Sequence, residues 1–228
     1  MNNVTLKDGT SLQVVQLTMQ ELPEIKQLQT KVIGHLSEKT LLQPLTDEEF
    51  IYILEGNGLI VGVRSEGSLI AFRALLDPDE DPEHLGQDAG IPEEQWDSVL
   101  YSEITNVDPE FQGNGLQRQL GKIIMDAVDT DRYTYVCTTV APFNIASLKD
   151  KFELGMHIAA LTVKYGTLTR YVMVKSLVTE VMMTAEEPIE VAMGDTEEQQ
   201  RLLKAGWVGT SIQSCEEGFT VIYRKPQQ

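Results

Sequence analysis

The sequence predicts an α+β fold: a central mixed, mostly antiparallel β-sheet flanked by helices, followed by a small C-terminal α/β extension. Three observations predict this class. Strand patterns rich in Val, Ile and Leu occur as hairpin pairs, helix patterns with apolar residues three and four apart lie between them, and the order of the elements is mixed. Such an order favours one sheet covered on both faces by helices. We predict a main domain over residues 1–178 and an extension over 179–228.

Short-range signals predict where the elements of the main domain begin and end. Two capping boxes, in which a Thr and a Glu three residues later satisfy each other's backbone N–H groups, predict helix starts at Thr18 and Thr46. Glycine-containing turns predict the hairpins. In order, the predicted elements are a strand at 11–17, helices from Thr18 and Thr46, strands at 58–64, 68–76 and 98–107, a helix from 116, a strand at 133–140, a helix at 144–153, and strands at 156–164 and 168–175.

The extension repeats a strand and helix pattern on a smaller scale. About fifty residues form too small a core to stand alone, so we expect the extension to dock on the main domain or on a partner subunit, as in a homodimer. Its predicted elements are strands at 181–184 and 189–193, a helix that Asp195 and Glu198 cap and Gly206 ends, and a hairpin at 207–212 and 219–223.

Composition restricts the possible partners. The formal net charge is −17 with no basic block, which disfavours nucleic acid. An acidic protein attracts amines, and the alternative cause of the excess is a charge that keeps a cytosolic protein soluble. The first residues contain no apolar secretory core, and no apolar run is long enough to span a membrane. Cys137 and Cys215 lie far apart and the three histidines are isolated, so we expect a reducing cytoplasmic setting and no metal site. Cys137, in the middle of a strand pattern, is expected to be buried and inert.

Residues 77–97 form an acidic segment, with nine acidic residues, three prolines and no lysine or arginine. The composition predicts a solvated loop without a role in the core, and an acidic rim that attracts a cationic acceptor is the alternative. Asp77, Asp79, Asp81 and Asp88 have part of the spacing of a calcium loop. Pro82 stands where such a loop needs glycine, so we predict no calcium site.

A glycine turn joins a strand to a helix in the stretch VDPEFQGNGLQRQL, residues 107–120. A helix N-terminus offers unpaired backbone N–H groups and about half a positive charge, and preceding glycines let an anion approach closely. A dinucleotide fingerprint would need glycine at Arg118, and no GxxxxGK run begins at Gly113 or Gly115. The stretch therefore predicts a phosphate cradle of another kind, with an ordinary strand-to-helix turn as the alternative.

This stretch resembles the pyrophosphate loop of the GNAT superfamily, the acyl-CoA-dependent N-acyltransferases. The family pattern follows a strand that ends in a V-x-P-like turn, and it is matched by Gln112, Gly113, Asn114, Gly115 and Leu116; Gln117 stands where the family has a small residue. In a second resemblance, Asn144, Ser147 and Gly155 keep the spacing of the family's Asn-containing helix. The alternative role of Asn144 is a helix N-cap. The order of elements from residue 11 to residue 177 also fits the family.

The resemblance implies an activity and a site. An acetyl group would pass from acetyl-CoA directly to a primary amine, of a small molecule or a peptide, with the pantetheine arm beside the strand that ends at Val107. Arg118 and Lys122 would meet CoA phosphates or form a solvated helix face. The residues implied at the co-substrate are Asn106, Val107, Gln112, Gly113, Asn114, Gly115, Leu116, Gln117, Arg118, Asn144 and Ser147.

Glu103 is the candidate general base, because strand alternation predicts one face for Tyr101, Glu103, Thr105 and Val107, and family members often use a Glu near this place. A half-exposed carboxylate without chemistry is the equal alternative. Lys151 stands where the family often has a Tyr acid. By residue type alone, Tyr165 and Tyr171 are substitute acids. The leading hypothesis is an N-acetyltransferase, and a non-catalytic acyl-CoA-binding or sensor protein is the alternative.

Overall fold

The computed structural model describes residues 2–35, 43–78, 81–216 and 218–227. The chain forms two compact units, one made of Met1–Asp77 and Leu100–Val128, the other of Pro78–Val99 and Asp129–Gln228. Both units consist of antiparallel strands flanked by helices, which confirms the predicted α+β class. No helix within the described residues is long and apolar enough to cross a membrane.

Apart from β1 (Asn3–Thr5) and α3 (Leu85–Asp88), which were not predicted, the elements lie close to their predicted positions. In chain order they are β1 (Asn3–Thr5), β2 (Ser11–Gln16), α1 (Leu22–His35), α2 (Asp47–Leu54), β3 (Gly58–Ser65), β4 (Ser68–Leu76), α3 (Leu85–Asp88), β5 (Val99–Val107), α4 (Leu116–Asp126), β6 (Tyr135–Val140), α5 (Ile145–Glu153), β7 (His157–Lys164), β8 (Leu168–Ser176), β9 (Ile189–Ala192), α6 (Thr196–Lys204), β10 (Val208–Cys215) and β11 (Gly218–Arg224).

The first unit pairs β1 to β5 in sequence order, each strand antiparallel to its neighbours. Apolar residues of α1 and α2, among them Ile25 and Phe50, pack with Phe72 of β4 and Ile104 of β5, and the rings of Phe50 and Phe72 meet edge to face at 5.9 Å. Since neighbouring strand residues point to opposite faces, Arg73 points away from this core. It points towards α4, which packs on β3 and β4.

Both predicted capping boxes are present. The N–H of Thr46 donates to Glu49 Oε2 at 2.7 Å, and the N–H of Glu49 donates back to Thr46 Oγ1 at 3.2 Å. Thr18 and Glu21 form the same arrangement at the short 3₁₀ turn Met19–Glu21, which leads into α1. Each box satisfies backbone donors that a helix start otherwise leaves unpaired, so these two starts are fixed by four-residue sequences.

A β-bulge between β4 and β5 overturns one prediction. Arg73 pairs with Thr105, but the next pairs are Leu75 with Ser102 and Leu76 with Tyr101, so β5 contains one extra residue. Cross-strand partners share a face of the sheet, and Arg73 and Leu76 lie on opposite faces. Thr105 and Tyr101 therefore lie on opposite faces too. The prediction of one face for Tyr101, Glu103, Thr105 and Val107 is wrong, because the bulge interrupts the alternation.

The second unit pairs its strands in the order β6-β8-β7-β10-β11-β9. The segment 179–228 lies in this unit: Gly209 of β10 pairs with Ile158 of β7, and α6 packs on β7. Gln199 of α6 joins the segment to the preceding strands, because its Oε1 accepts hydrogen bonds from the hydroxyls of Tyr171 (2.7 Å) and Tyr223 (2.9 Å). The segment thus shares a buried polar cluster with β8.

Two other predictions about this unit are wrong. Residues 181–184 form no strand: they meet the end of the chain in one isolated bridge, between Met183 and Pro226, flanked by backbone hydrogen bonds from Thr184 to Lys225 and from Gln227 to Met182. The acidic segment 77–97 contributes to the core, since Leu85 and Ile91 are buried and His84 stacks on Trp96 at 4.7 Å. The apolar residues of this segment are few and lie among acidic ones. The short helix α3 brings them to the sheet. Asp79, one of the four aspartates with calcium-like spacing, lies outside the described residues.

Candidate functional site

The chain that enters the turn between β5 and α4 is held by Asp108. Asp108 follows β5, and its Oδ1 accepts a hydrogen bond from the N–H of Glu110 at 3.0 Å, capping the 3₁₀ turn Pro109–Phe111. Its Oδ2 pairs with Lys31 Nζ of α1 at 2.7 Å, and this hydrogen bond raises the pKa of Lys31. The direction of the chain entering the glycine turn is therefore fixed by α1.

The start of α4 has the backbone of an anion cradle. Gly113 and Gly115 have φ of +80° and +71°, a left-handed conformation that favours glycine. Gly115 is the N-cap of α4, and no side chain of the described residues caps it, whereas α2, α5 and α6 each begin with a capping side chain. The N–H groups of Leu116, Gln117 and Arg118 in the first turn therefore have no intrahelical acceptor and no side-chain cap.

There is open space beside the two glycines that precede these N–H groups. A Cβ built on Gly113 or Gly115 would meet its nearest atoms at 3.9 Å, Lys7 Nζ and Gln119 Nε2 respectively. Gln112 and both glycines are exposed. The site thus combines backbone N–H donors, the positive end of a helix and open space. These three features fit the diphosphate of a nucleotide-type co-substrate.

Lys7 is a residue that the sequence reasoning missed. It lies between β1 and β2, and its N–H donates to Oδ1 of Asn114 at 3.0 Å. Its ammonium stands beside Gly113, and no ion-pair partner for it is present in the part of the chain that the structure describes. Three-residue β1 is too short to leave a clear periodic signal, so the hairpin that carries Lys7 was not predicted.

The end of β5 presents its backbone to the edge away from β4. The N–H of Asp108 donates to the carbonyl of Ile70 at 2.8 Å, and Asn106 is paired with Phe72. Because hydrogen-bonded and non-hydrogen-bonded pairs alternate in an antiparallel ladder, the N–H and C=O of Val107 point away from β4. This direction is the one required for pairing with an extended ligand along β5.

Comparisons with solved structures bear on the fold. The ribosomal-protein-S18-alanine N-acetyltransferase of Escherichia coli matches with 16% identity and a TM-score of 0.55, over 74% of this chain and 95% of that one. A GNAT-family acetyltransferase of Listeria monocytogenes matches with 16% identity and a TM-score of 0.57, over 77% and 99%. The chain has the GNAT fold.

A third match is a Salmonella typhimurium protein solved with its cofactor acetyl-CoA: 14% identity, a TM-score of 0.56, and coverage of 78% of this chain and 100% of that one. Neither a scan of family models nor a search of curated proteins found a match. The three structural neighbours are covered almost completely, so the GNAT fold of this chain spans their whole length.

Asn106, on the GNAT strand β5, has an unsatisfied side chain. It is fully buried, and neither Nδ2 nor Oδ1 has a hydrogen-bond partner among the described residues. Its register partner Phe72 faces α1 and α2, so the Asn106 amide points to that face and away from α4. A buried amide without partners costs on the order of 1–3 kcal/mol. Asn106 is thus adjacent to the cradle in sequence but does not line it.

Glu103 lies half-buried within the bulge of β5. On one side of the bulge Thr105 pairs with Arg73, and on the other the hydroxyl of Ser102 accepts a hydrogen bond from Arg73 Nη2 at 3.3 Å. Bulges re-aim side chains and are frequent beside active sites. The structure therefore places the candidate base at the irregular point of the strand rather than on a regular alternating face.

The second unit contains the other predicted residues. Oδ1 of Asn144 accepts a hydrogen bond from the N–H of Ser147 at 3.2 Å, so Asn144 caps α5. Asn144 therefore has the helix N-cap role that was the alternative to co-substrate binding. The N–H of Ser147 is occupied by the same hydrogen bond. Lys151 is buried, with Nζ 3.5 Å from Asp150 Oδ2. Cys137 is buried, and burial raises the pKa of its thiol.

The two tyrosines named as substitute acids differ in their surroundings. Tyr171 is fully buried, bonded to Gln199, and burial raises the pKa of its hydroxyl. Tyr165 is 48% exposed and its hydroxyl lies 3.0 Å from Thr139 Oγ1, near the end of β6. Tyr171 is therefore part of the core, whereas Tyr165 is an exposed residue whose hydroxyl is bonded to Thr139.

Proposed function

We propose that this chain is an N-acetyltransferase that moves an acetyl group from acetyl-CoA to a primary amine by direct attack in a ternary complex. The observation that carries the proposal is the uncapped start of α4, where Gly113 and Gly115 are left-handed and the space beside both glycines is open. The GNAT fold supports it, since the named structural neighbours are acetyltransferases or contain acetyl-CoA.

Each part of the site has a role in this proposal. Residues 112–118 hold the diphosphate of CoA through backbone N–H groups. The backbone of Val107 pairs with the pantetheine arm and orients the thioester. Glu103 accepts the proton that the amine loses as its nitrogen bonds to the acetyl carbon, and the C–S bond breaks to release the thiolate, which takes up a proton from water.

The acceptor is proposed to be a small-molecule or peptide amine. With a formal net charge of −17, the protein attracts cations, and protonated amines are the ordinary form of such acceptors at neutral pH. An excess of acidic groups does not select among amines. We place the reaction in the cytoplasm, where a buried free thiol such as Cys137 is stable.

A non-catalytic acyl-CoA-binding or sensor protein is the second candidate, and one observation favours it. Lys151, which stands where the resemblance leads one to expect a tyrosine acid, is buried beside Asp150. Its ammonium takes the place of the tyrosine hydroxyl that would protonate the thiolate, so the expected acid is absent at that position. In this alternative, acetyl-CoA binds at the cradle and is not turned over.

Two measurements test the proposal. CoA and acetyl-CoA should raise the melting temperature while NAD and ATP do so much less; at a hundredfold excess over Kd, the stabilisation is about 2.7 kcal/mol. Release of free thiol from acetyl-CoA with a panel of amines should then show turnover. Binding without thiol release for any amine would select the sensor alternative, and no response to either CoA species would remove both.

A further inference from the structure

Arg73 is a fully buried arginine in the middle of β4. Its backbone pairs with Thr105 on one side of the β5 bulge, and its Nη2 donates to Ser102 Oγ, itself buried, on the other side at 3.3 Å. One residue of β4 therefore contacts β5 both before and after Glu103. The width of the bulge, and with it the position of the Glu103 backbone, depends on this side chain.

The same guanidinium contacts α4. Nη1 of Arg73 donates to the backbone carbonyl of Gln117 at 3.3 Å, in the first turn of the helix whose N–H groups form the cradle. A planar guanidinium holds its donors in a fixed fork, so the two acceptors are kept at a fixed separation. Arg73 thereby links the bulge that carries Glu103 to the start of α4.

Burial makes this arrangement costly. Moving a charged guanidinium out of water costs several kcal/mol even after relaxation of the surroundings, and an apolar side chain of similar volume is often as stable or more so. The charge also lies behind the positive end of α4, where a cation is unfavourable. A charge kept here at such a cost is more consistent with a positional role for Arg73 than with a purely stabilising one.

We infer that Arg73 is a positioning residue that holds the candidate base Glu103 at a fixed place relative to the phosphate cradle. The inference rests on the proposed acetyltransferase function. Arg73 donates hydrogen bonds to Ser102 and to the carbonyl of Gln117, and we expect it to act through these two residues. Its removal should therefore affect the chemical step more than the binding of CoA.

The experiment is a double-mutant cycle in the full chain. Arg73→Met and Arg73→Lys are made alone and together with Glu103→Gln, and kcat, the KM for acetyl-CoA and the Kd for CoA are measured. Arg73→Met should lower kcat about 10- to 100-fold, since misplacement of a reacting group by about 1 Å costs up to a hundredfold, while the Kd for CoA changes less than about threefold. Arg73→Lys, which keeps the charge but not the fork, should lose less.

The double variants with Glu103→Gln test whether Arg73 acts through Glu103. Once the base is absent, Arg73→Met should cost less than about threefold in kcat, because the two residues then act as one unit. Equal losses in both backgrounds, or a loss of CoA affinity with unchanged kcat, would overturn the inference. If Arg73→Met fails to fold, Arg73→Lys decides: wild-type kcat overturns the inference, and a loss that disappears in the Glu103→Gln background supports it.

Arg64→Met serves as the matched control. Arg64 lies on the adjacent strand β3 and pairs with Glu24 of α1 at 2.6 Å, without contact to β5 or α4 in the described residues. Its loss should change stability and leave kcat unaltered. A wild-type protein that neither binds CoA nor releases thiol would overturn the proposed function and the inference together. An active wild-type protein with an additive cycle would overturn the inference alone.

Discussion

The backbone N–H of Lys7 donates a 3.0 Å hydrogen bond to Oδ1 of Asn114, which joins the N-terminal hairpin to the cradle. A second link reinforces it: the side-chain amide of Gln119 accepts from the N–H of Thr5 at 2.8 Å and donates to the carbonyl of Thr5 at 3.0 Å. The Lys7 ammonium is consequently held beside Gly113 by contacts that do not involve the ammonium itself. We expect it to contact a phosphate of CoA.

Lys7→Ala should weaken CoA binding. Because the lysine is exposed, the pair that it forms with a phosphate is screened by water and worth about 1 kcal/mol, which corresponds to roughly fivefold in Kd. Calorimetric titration with CoA at low and high salt measures the effect, which should shrink as salt rises. Lys204→Ala, at an exposed lysine at the end of α6, is the control. Equal affinity of Lys7→Ala and wild type at low salt would remove Lys7 from the site.

Gly115→Val should weaken CoA binding further. Valine is strained at the φ of +71°, and its branched side chain would occupy the space in front of the N–H groups. Losing one or two charge-assisted hydrogen bonds costs about 1.5–3 kcal/mol each. Gly67→Val, at a left-handed glycine in the β3–β4 turn with open surroundings, controls for backbone strain. If both variants bind CoA like wild type, the phosphates lie elsewhere.

Glu103→Gln should keep CoA affinity and lower turnover by about 10²–10⁴-fold, the usual contribution of a general base. The loss should be greatest below the pKa of the acceptor amine, since there the amine must lose a proton before it attacks. At higher pH the amine is already neutral and the variant should partly recover. Thiol release from acetyl-CoA across a pH series measures both effects. Wild-type rates at every pH would show that Glu103 is a strand carboxylate without a catalytic role.

The buried His157 should lower the free energy of unfolding in mild acid relative to neutral pH. Burial lowers its pKa from 6.5 to about 4, so between these values the unfolded chain binds a proton that the folded chain does not. Stability from this residue is therefore complete above about pH 6.5 and falls as the pH drops towards 4, by about 3 kcal/mol in total. Urea unfolding at pH 7, 6, 5 and 4.5 should show a smaller decline for His157→Gln than for wild type. His35→Gln, at an exposed histidine, should follow the wild-type curve.

Most elements of the fold could be predicted from the sequence because their signals are local. The capping boxes at Thr18 and Thr46 and the glycine turn before α4 each depend on residues within four positions, and the structure contains all three. The element order, the glycine turn and the spacing of Asn144, Ser147 and Gly155 together were sufficient to indicate the GNAT fold. The strand predicted at 181–184 is absent because a short apolar run forms a strand only where a neighbour pairs along its length, and in the described residues this run forms one isolated bridge, between Met183 and Pro226.

Part of the candidate site could likewise be predicted from local sequence, and part could not. The sequence by itself determined the cradle, since two glycines and a helix start suffice to expose backbone N–H groups. Only the tertiary structure decided which side chains surround it. The bulge at Glu103 is a property of the register between β4 and β5, the burial of Arg73 depends on α4, and Lys7 reaches Gly113 through a hydrogen bond to Asn114. Such contacts join residues distant in the chain, so their geometry follows from packing and has no local signal in the sequence.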